Sequence, residues 1–157
     1  MTGVQTCALP ISEAEIVWYA LENFEVALTA TWQDPQYKNF GSLDGNRVRR
    51  IPEQIYRFTP TYRFANRGFV YLGLFYGGER FADFSNRLPL PAYWSIDAGI
   101  AYSVSDNIRL MLQGYNLSNQ VGLTEGNPRG NGAQFGELFT ARPILGRHAR
   151  ASVTWEF

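Results

Sequence analysis

The stretch Arg147-His-Ala-Arg-Ala-Ser-Val-Thr-Trp-Glu-Phe157 decides the fold. Ala149, Ala151, Val153, Trp155 and Phe157 fall on one face, and His148, Arg150, Ser152, Thr154 and Glu156 fall on the other. Alternation with a period of two marks a strand that has one apolar and one polar side. A slip of one residue would exchange the two sides, so the register is strongly specified. The stretch closes on an aromatic, with a second aromatic two residues earlier on the same side. Chain ends usually fray into water, so this ending predicts apolar surroundings for Phe157.

Working outward, the composition narrows the class. The chain has 157 residues, with 14 basic and 14 acidic side chains, and no net charge. That balance argues against a nucleic-acid partner, which would ask for a basic patch. The single cysteine, Cys7, rules out an internal disulfide and any thiolate metal cluster. Aromatics at 15% together with 15 glycines suit many short strands and turns. No run of 18 apolar residues is present, so a transmembrane helix is excluded, whereas a membrane β-barrel is not. Residues 1–12 hold no Lys or Arg and resemble a translated sequencing-adapter scar. They are expected to be non-native or disordered, with residues 13–157 as the folded part.

Along the rest of the chain the alternation recurs. Strands are expected at residues 13–20, 24–34, 52–64, 69–79, 92–104, 108–116 and 147–157. In the second, Phe24, Val26, Leu28, Ala30 and Trp32 oppose Glu25, Ala27, Thr29, Thr31 and Gln33. In the third, Tyr56, Phe58, Pro60, Tyr62 and Phe64 oppose Arg57, Thr59, Thr61 and Arg63. Pro60 has no backbone donor and predicts a bulge or a weak point in the ladder. Residues 69–79 are apolar on both sides, which leaves their register open. The connections alternate: short turns follow residues 20, 64 and 104, and long polar loops follow residues 34, 79 and 119.

Short turns on one rim and long loops on the other are the asymmetry of an outer-membrane barrel, periplasmic against extracellular. Trp94 and Tyr102, on one apolar side, are roughly 26 Å apart at ~3.3 Å per residue. Tilted by ~40°, that projects to about 20 Å, near the ~25 Å band between aromatic girdles. Arg57 and Arg150 lie mid-strand on the polar side; turned to lipid, each would cost roughly 2–4 kcal/mol, so that side must be wet. The fold class is therefore an all-β, antiparallel transmembrane β-barrel fragment of about seven meandering strands in the bacterial outer membrane. A soluble β-barrel or sandwich with the apolar side turned into a core is the competing architecture. Bacterial single-chain barrels have even strand numbers and no open edges in lipid. Seven strands thus imply either one more, giving a small eight-strand barrel with a pore or structural role, or many more.

Several segments resemble the TonB-dependent outer-membrane receptors. Asp34-Pro-Gln-Tyr-Lys-Asn-Phe40 and Gly45-Asn-Arg-Val-Arg-Arg-Ile-Pro52 are similar to the loop that enters a late strand of that barrel. Leu112-Gln-Gly-Tyr-Asn-Leu-Ser-Asn119 resembles its penultimate strand, and Ala141-Arg-Pro-Ile-Leu-Gly-Arg-His148 resembles the entry to its final one. The resemblance implies the carboxy-terminal part of a barrel of about 22 strands closed around a plug. It implies import of a scarce ligand such as a ferric siderophore, with energy relayed by TonB. Roughly fifteen strands, the plug and the TonB contact would lie upstream, and a chain of this extent alone is expected not to transport. It also implies that Val153, Trp155 and Phe157 form the signal read by the barrel-assembly machinery.

The chemistry-bearing residues have duller readings. His148 is the only histidine, so a multi-histidine metal site is excluded. His148 and Ser152 share a strand side but are over ~13 Å apart, too far for a nucleophile and its base. Gly126-Asn-Pro-Arg-Gly-Asn-Gly132 lacks the Lys-Ser/Thr ending of a phosphate loop. No cofactor and no enzymatic activity are implied. Lys38, Arg47, Arg49 and Arg50 surround Asp44 in the first long loop. They are candidates for an anionic ligand, with solvation or contact with lipopolysaccharide phosphates the commoner role. Tyr37, Phe40, Phe81, Phe84, Phe135 and Phe139 are candidates to line a vestibule, or simply to pack the loops.

Overall fold

The computed structural model describes residues 6–8, 11–64, 67–127 and 140–157. Its elements are β1 (Thr6–Ala8), β2 (Ile11–Leu21), β3 (Phe24–Gln33), β4 (Gln36–Lys38), a 3-10 turn at Gly41–Leu43, β5 (Gln54–Phe64) and β6 (Gly68–Gly77). There follow β7 (Arg80–Phe81), β8 (Pro89–Leu90), β9 (Tyr93–Ser103), β10 (Ile108–Tyr115), β11 (Leu123–Asn127), β12 (Thr140–Pro143) and β13 (His148–Trp155). Seven of these form one antiparallel meander in the order β13-β10-β9-β6-β5-β3-β2. The other six make three two-stranded pieces: β1 with β4, β7 with β8, and β11 with β12.

The alternation sets the register of the large sheet. Ile16, Leu28, Phe58, Leu74 and Ile96 lie side by side across five strands, one apolar row. One residue away, Glu15, Thr29, Arg57, Phe75 and Ser95 form the next row on the opposite side. The apolar face stands exposed from Trp18 to Val153; in a sheet, such a face must meet lipid or another apolar layer. The register of residues 69–79, open in the sequence, comes from the neighbours. Val70, Leu72, Leu74 and Tyr76 join the apolar face, and Phe69, Tyr71 and Phe75 join the polar one.

Two aromatic bands bound the apolar face. Toward the long loops, Trp32 meets Tyr56 edge-on with centroids 5.6 Å apart, Tyr56 stacks on Tyr76 at 5.7 Å, and Trp94 is paired with Tyr76. Toward the short turns, Tyr62, Phe64 and Tyr102 stack in series, and Trp155 meets Phe157 at 6.1 Å. These are the girdles that the Trp94–Tyr102 spacing predicts.

Pro60 acts as a weak point and not as a bulge. The Thr59–Gly73 and Pro60–Leu72 pairs drop out of the β5–β6 ladder, yet Phe58 with Leu74 and Thr61 with Tyr71 keep one register. The paired part of β2 begins at Ile11, opposite Gln33, two residues ahead of the start expected from the alternation. Of the segments expected as plain long loops, the second and third carry the short hairpins β7–β8 and β11–β12, and the first carries β4, paired with β1. Of the expected short turn at residues 65–68, Ala65 and Asn66 lie outside the described residues.

The rims differ. On the short-turn side, the Arg63 N–H donates to the Asn23 carbonyl and the Ser103 N–H to the Arg67 carbonyl, each at 2.7 Å. There Asn107 grips the end of the last strand: Glu156 N–H donates to the Asn107 carbonyl at 2.9 Å, and Asn107 Nδ2 donates to the Glu156 carbonyl at 2.8 Å. The three long loops meet at the other rim.

Candidate functional site

The long-loop rim is assembled from residues 34–53, 78–92 and 116–147, here the first, second and third loops. The first and second are joined by side chains that imitate backbone pairing. The Arg47 N–H donates to Asn86 Oδ1 at 2.7 Å, while Asn86 Nδ2 donates back to the Arg47 carbonyl at 2.9 Å. Asn46 Nδ2 adds a bond to the Phe84 carbonyl at 3.0 Å. Asn86 holds φ 55°, a left-handed conformation that asparagine tolerates better than most residues. Within the second loop, Asp83 Oδ1 accepts the N–H groups of Arg87 at 3.0 Å and Leu88 at 2.9 Å. That closes the turn over the small buried cluster Ala82, Leu88 and Leu90.

The four basic candidates are placed differently from one another. Lys38 is exposed. Arg47 lies 2.7 Å by Nε from Glu53 Oε1 and 3.4 Å by Nη1 from Glu79 Oε1, and its guanidinium is 5.2 Å from the Phe81 ring centroid. Arg49 stacks over Phe84 at 4.2 Å, in the range where a cation is held by a ring. Arg50 Nη2 donates to the Gly126 carbonyl of the third loop at 3.1 Å. Three of the four thus have partners within the rim itself. Tyr37, Phe40 and Phe84 pack on one another with centroids 4.9 to 6.4 Å apart. Phe135 and Phe139 lie outside the described residues.

The base of the third loop is held by Asn116, which the sequence marks only as part of the segment 112–119 and not for this role. It is 4% exposed and sits at φ 47°. Its Nδ2 donates to the carbonyls of Gln120 and Leu145, both at 2.9 Å, and its Oδ1 accepts the Gln120 N–H at 2.9 Å. Its own N–H donates to Asp97 Oδ1 at 2.8 Å. One side chain therefore ties the end of β10, the start of the loop and the approach to β13. Next to it Leu117 lies over Gly114, where an added Cβ would meet Leu117 Cδ2 at 2.7 Å. The only sequence signal for this knot is the Asn116-Leu-Ser-Asn119 segment itself.

The polar face beneath the rim carries a second constellation. Arg57 stacks over Phe75 at 4.7 Å. Gln113 Nε2 donates to the Tyr71 hydroxyl at 3.1 Å, and the Tyr71 ring occupies the space that a Cβ on Gly99 would need. Arg150 pairs with Gln113 across β10 and β13. His148 and Ser152 share this face, as the alternation predicts, opposite Tyr115 and Met111. Among the described residues, no group of three or more His, Cys, Asp or Glu could hold a metal ion.

Comparison with known proteins fits this geometry. The family described as TonB dependent receptor-like, beta-barrel matches residues 11–117. The siderophore receptor PiuA from Acinetobacter baumannii superposes with a TM-score of 0.76 at 21% identity, covering 97% of this chain and 22% of PiuA. The ferric yersiniabactin uptake receptor FyuA from Yersinia pestis gives 0.80 at 17% identity, covering 92% and 23%. The ferripyoverdine receptor of Pseudomonas aeruginosa, bound to ferripyoverdine, gives 0.67 at 18%, covering 92% and 19%. The chain thus spans about a fifth of the length of these structures. Comparison with curated protein sequences finds no match. A two-faced meander with girdles, long loops on one rim and this match leave one assignment: the chain belongs to the TonB-dependent receptor β-barrel family, and its strands are wall segments of a bacterial outer-membrane barrel.

Proposed function

We propose that the chain is the carboxy-terminal wall of a receptor that imports a scarce ligand of the ferric siderophore class across the outer membrane, acting as a transporter and not as an enzyme. The observation that carries this reading is the family match over residues 11–117, joined to a sheet whose two faces differ as lipid and lumen do. The sheet has an unpaired edge at β2 and another at β13 among the described residues. An open edge is not tolerated in lipid, which supports further strands in the whole protein. Energy for import would come through TonB, by way of a part of the receptor outside this segment. Outer-membrane lipid and lipopolysaccharide would surround the apolar face, with Lys38 free to meet lipopolysaccharide phosphates. Val153, Trp155 and Phe157, on the exposed apolar side of β13 and its end, would serve as the signal for the barrel-assembly machinery.

One uptake experiment tests the whole reading. Cells that carry the full-length gene are given a radiolabelled panel of ferric siderophores, with TonB present or deleted, and with Phe157 kept or removed. Accumulation of at least one of them that is lost without TonB is expected. Removal of Phe157 is expected to lower the amount of barrel in the outer membrane. Uptake that persists without TonB would refute the transport mechanism, and unchanged surface levels would refute the assembly role of Phe157.

A further inference from the structure

Three loops converge on Arg50. The described non-glycine residues with left-handed backbone are Asn39, Arg50, Asn86, Asn116 and Asn119. Four are asparagines, which take up that conformation readily; an arginine at φ 67° is strained and must be held by its surroundings. Two hydrogen bonds among the described residues hold it, from opposite ends of the residue. Its backbone N–H donates to the Phe81 carbonyl of the second loop at 2.7 Å, and its Nη2 donates to the Gly126 carbonyl of the third at 3.1 Å. Its Nε is buried without a hydrogen-bond partner among the described residues, so the described hydrogen bond of the guanidinium is the one to Gly126. Near its base, the β11–β12 hairpin rests on apolar contacts: Gly122 lies against the Tyr93 ring, and Leu123 packs on Ala82, Leu88 and Leu90. Farther out, the Gly126 carbonyl is bound by Arg50.

We propose that Arg50 is the tie that couples the outer end of the third-loop hairpin to the welded first and second loops, so that the three shift together. The strain supplies the coupling. When the Gly126 contact breaks, the described hydrogen bond from the third loop that opposes relaxation of φ toward the ordinary region is gone. That relaxation swings the Arg50 amide away from Phe81 and loosens the second loop as well. Displacing any one loop therefore biases the other two, whichever ligand the rim receives.

Hydrogen exchange read by mass spectrometry on the intact full-length protein in detergent separates this from a plain packing role. R50G keeps the left-handed backbone without strain and removes the side chain, guanidinium included. Residues 123–127 should then exchange about tenfold faster or more, while residues 36–48 and 80–90 keep their wild-type rates. R50M removes the guanidinium but leaves the strain, so residues 80–90 should exchange faster together with 123–127. Unchanged exchange at 123–127 in R50G would overturn the tie. Equal acceleration of all three loops in R50G would overturn it too, because Arg50 would then hold the loop fold and not the junction.

Discussion

The wall and the long-loop rim of this molecule are ordered by different means. In the wall, each residue's place follows from its parity: Leu28 and Thr29 are neighbours in sequence and face opposite media because the pleat alternates. In the rim, order comes from single polar side chains, Asn86 between two loops and Asn116 at the base of the third. The wall distributes its specification over many weak, redundant rows, whereas the rim concentrates it in a few bonds. One substitution in the wall should therefore act according to the face it lands on. One in the rim should act according to how many bonds the residue holds.

The sharpest way to break that comparison is a charge on each face of β3. Leu28→Arg puts a guanidinium in the middle of the apolar row and should destabilise the barrel by roughly 2–4 kcal/mol. Thr31→Arg, on the polar face opposite Glu13, should stay within about 0.5 kcal/mol of wild type. Urea unfolding in detergent, followed by heat-modifiable gel mobility, measures both; equal losses would mean that the faces are wrongly assigned. In the rim, Asn116→Ala leaves the Gln120 and Leu145 carbonyls without their donor and the Gln120 N–H without its acceptor, at a cost of about 2 kcal/mol or more. Its signature is faster proteolytic nicking of the third loop with the wall intact. The smaller of the two rim effects belongs to Asn86→Ala, about 1 kcal/mol, seen as easier nicking of residues 35–48 with a weaker rise in the third loop, transmitted through Arg50. Should that variant loosen the third loop to the same degree as the first, the rim would be one cooperative unit and not a set of joints linked by a single tie.

The same contrast explains what was legible in the sequence. Alternation reveals the faces of β3, β5, β9 and β13, because a period of two is a local signal. It is silent for β6, where Phe69, Tyr71 and Phe75 are as apolar as Val70, Leu72 and Leu74. There the register is imposed by β5 and β9, and Gly99 leaves the space that Tyr71 fills. At the rim, the basic residues stand out by charge and invite a ligand reading. Their engagement with Glu79, Phe84 and Gly126 depends on residues brought in from other loops, and Arg47 also meets Glu53 of its own loop. Asparagines such as Asn86 carry no periodic mark at all; only their tolerance of left-handed backbone hints that they end or join segments.

The lapse in the β5–β6 ladder at Pro60 has a mechanical consequence. A barrel wall resists being pulled apart sideways through its inter-strand hydrogen bonds, and between Phe58 and Thr61 that resistance is reduced. Beside it, β3 stays paired to β5 through Val26 and Pro60, so the weakness is a seam on one side of β5 only. Under lateral tension, as in a crowded or thickening bilayer, the wall would begin to part along that seam, at mid-height and between its two aromatic bands.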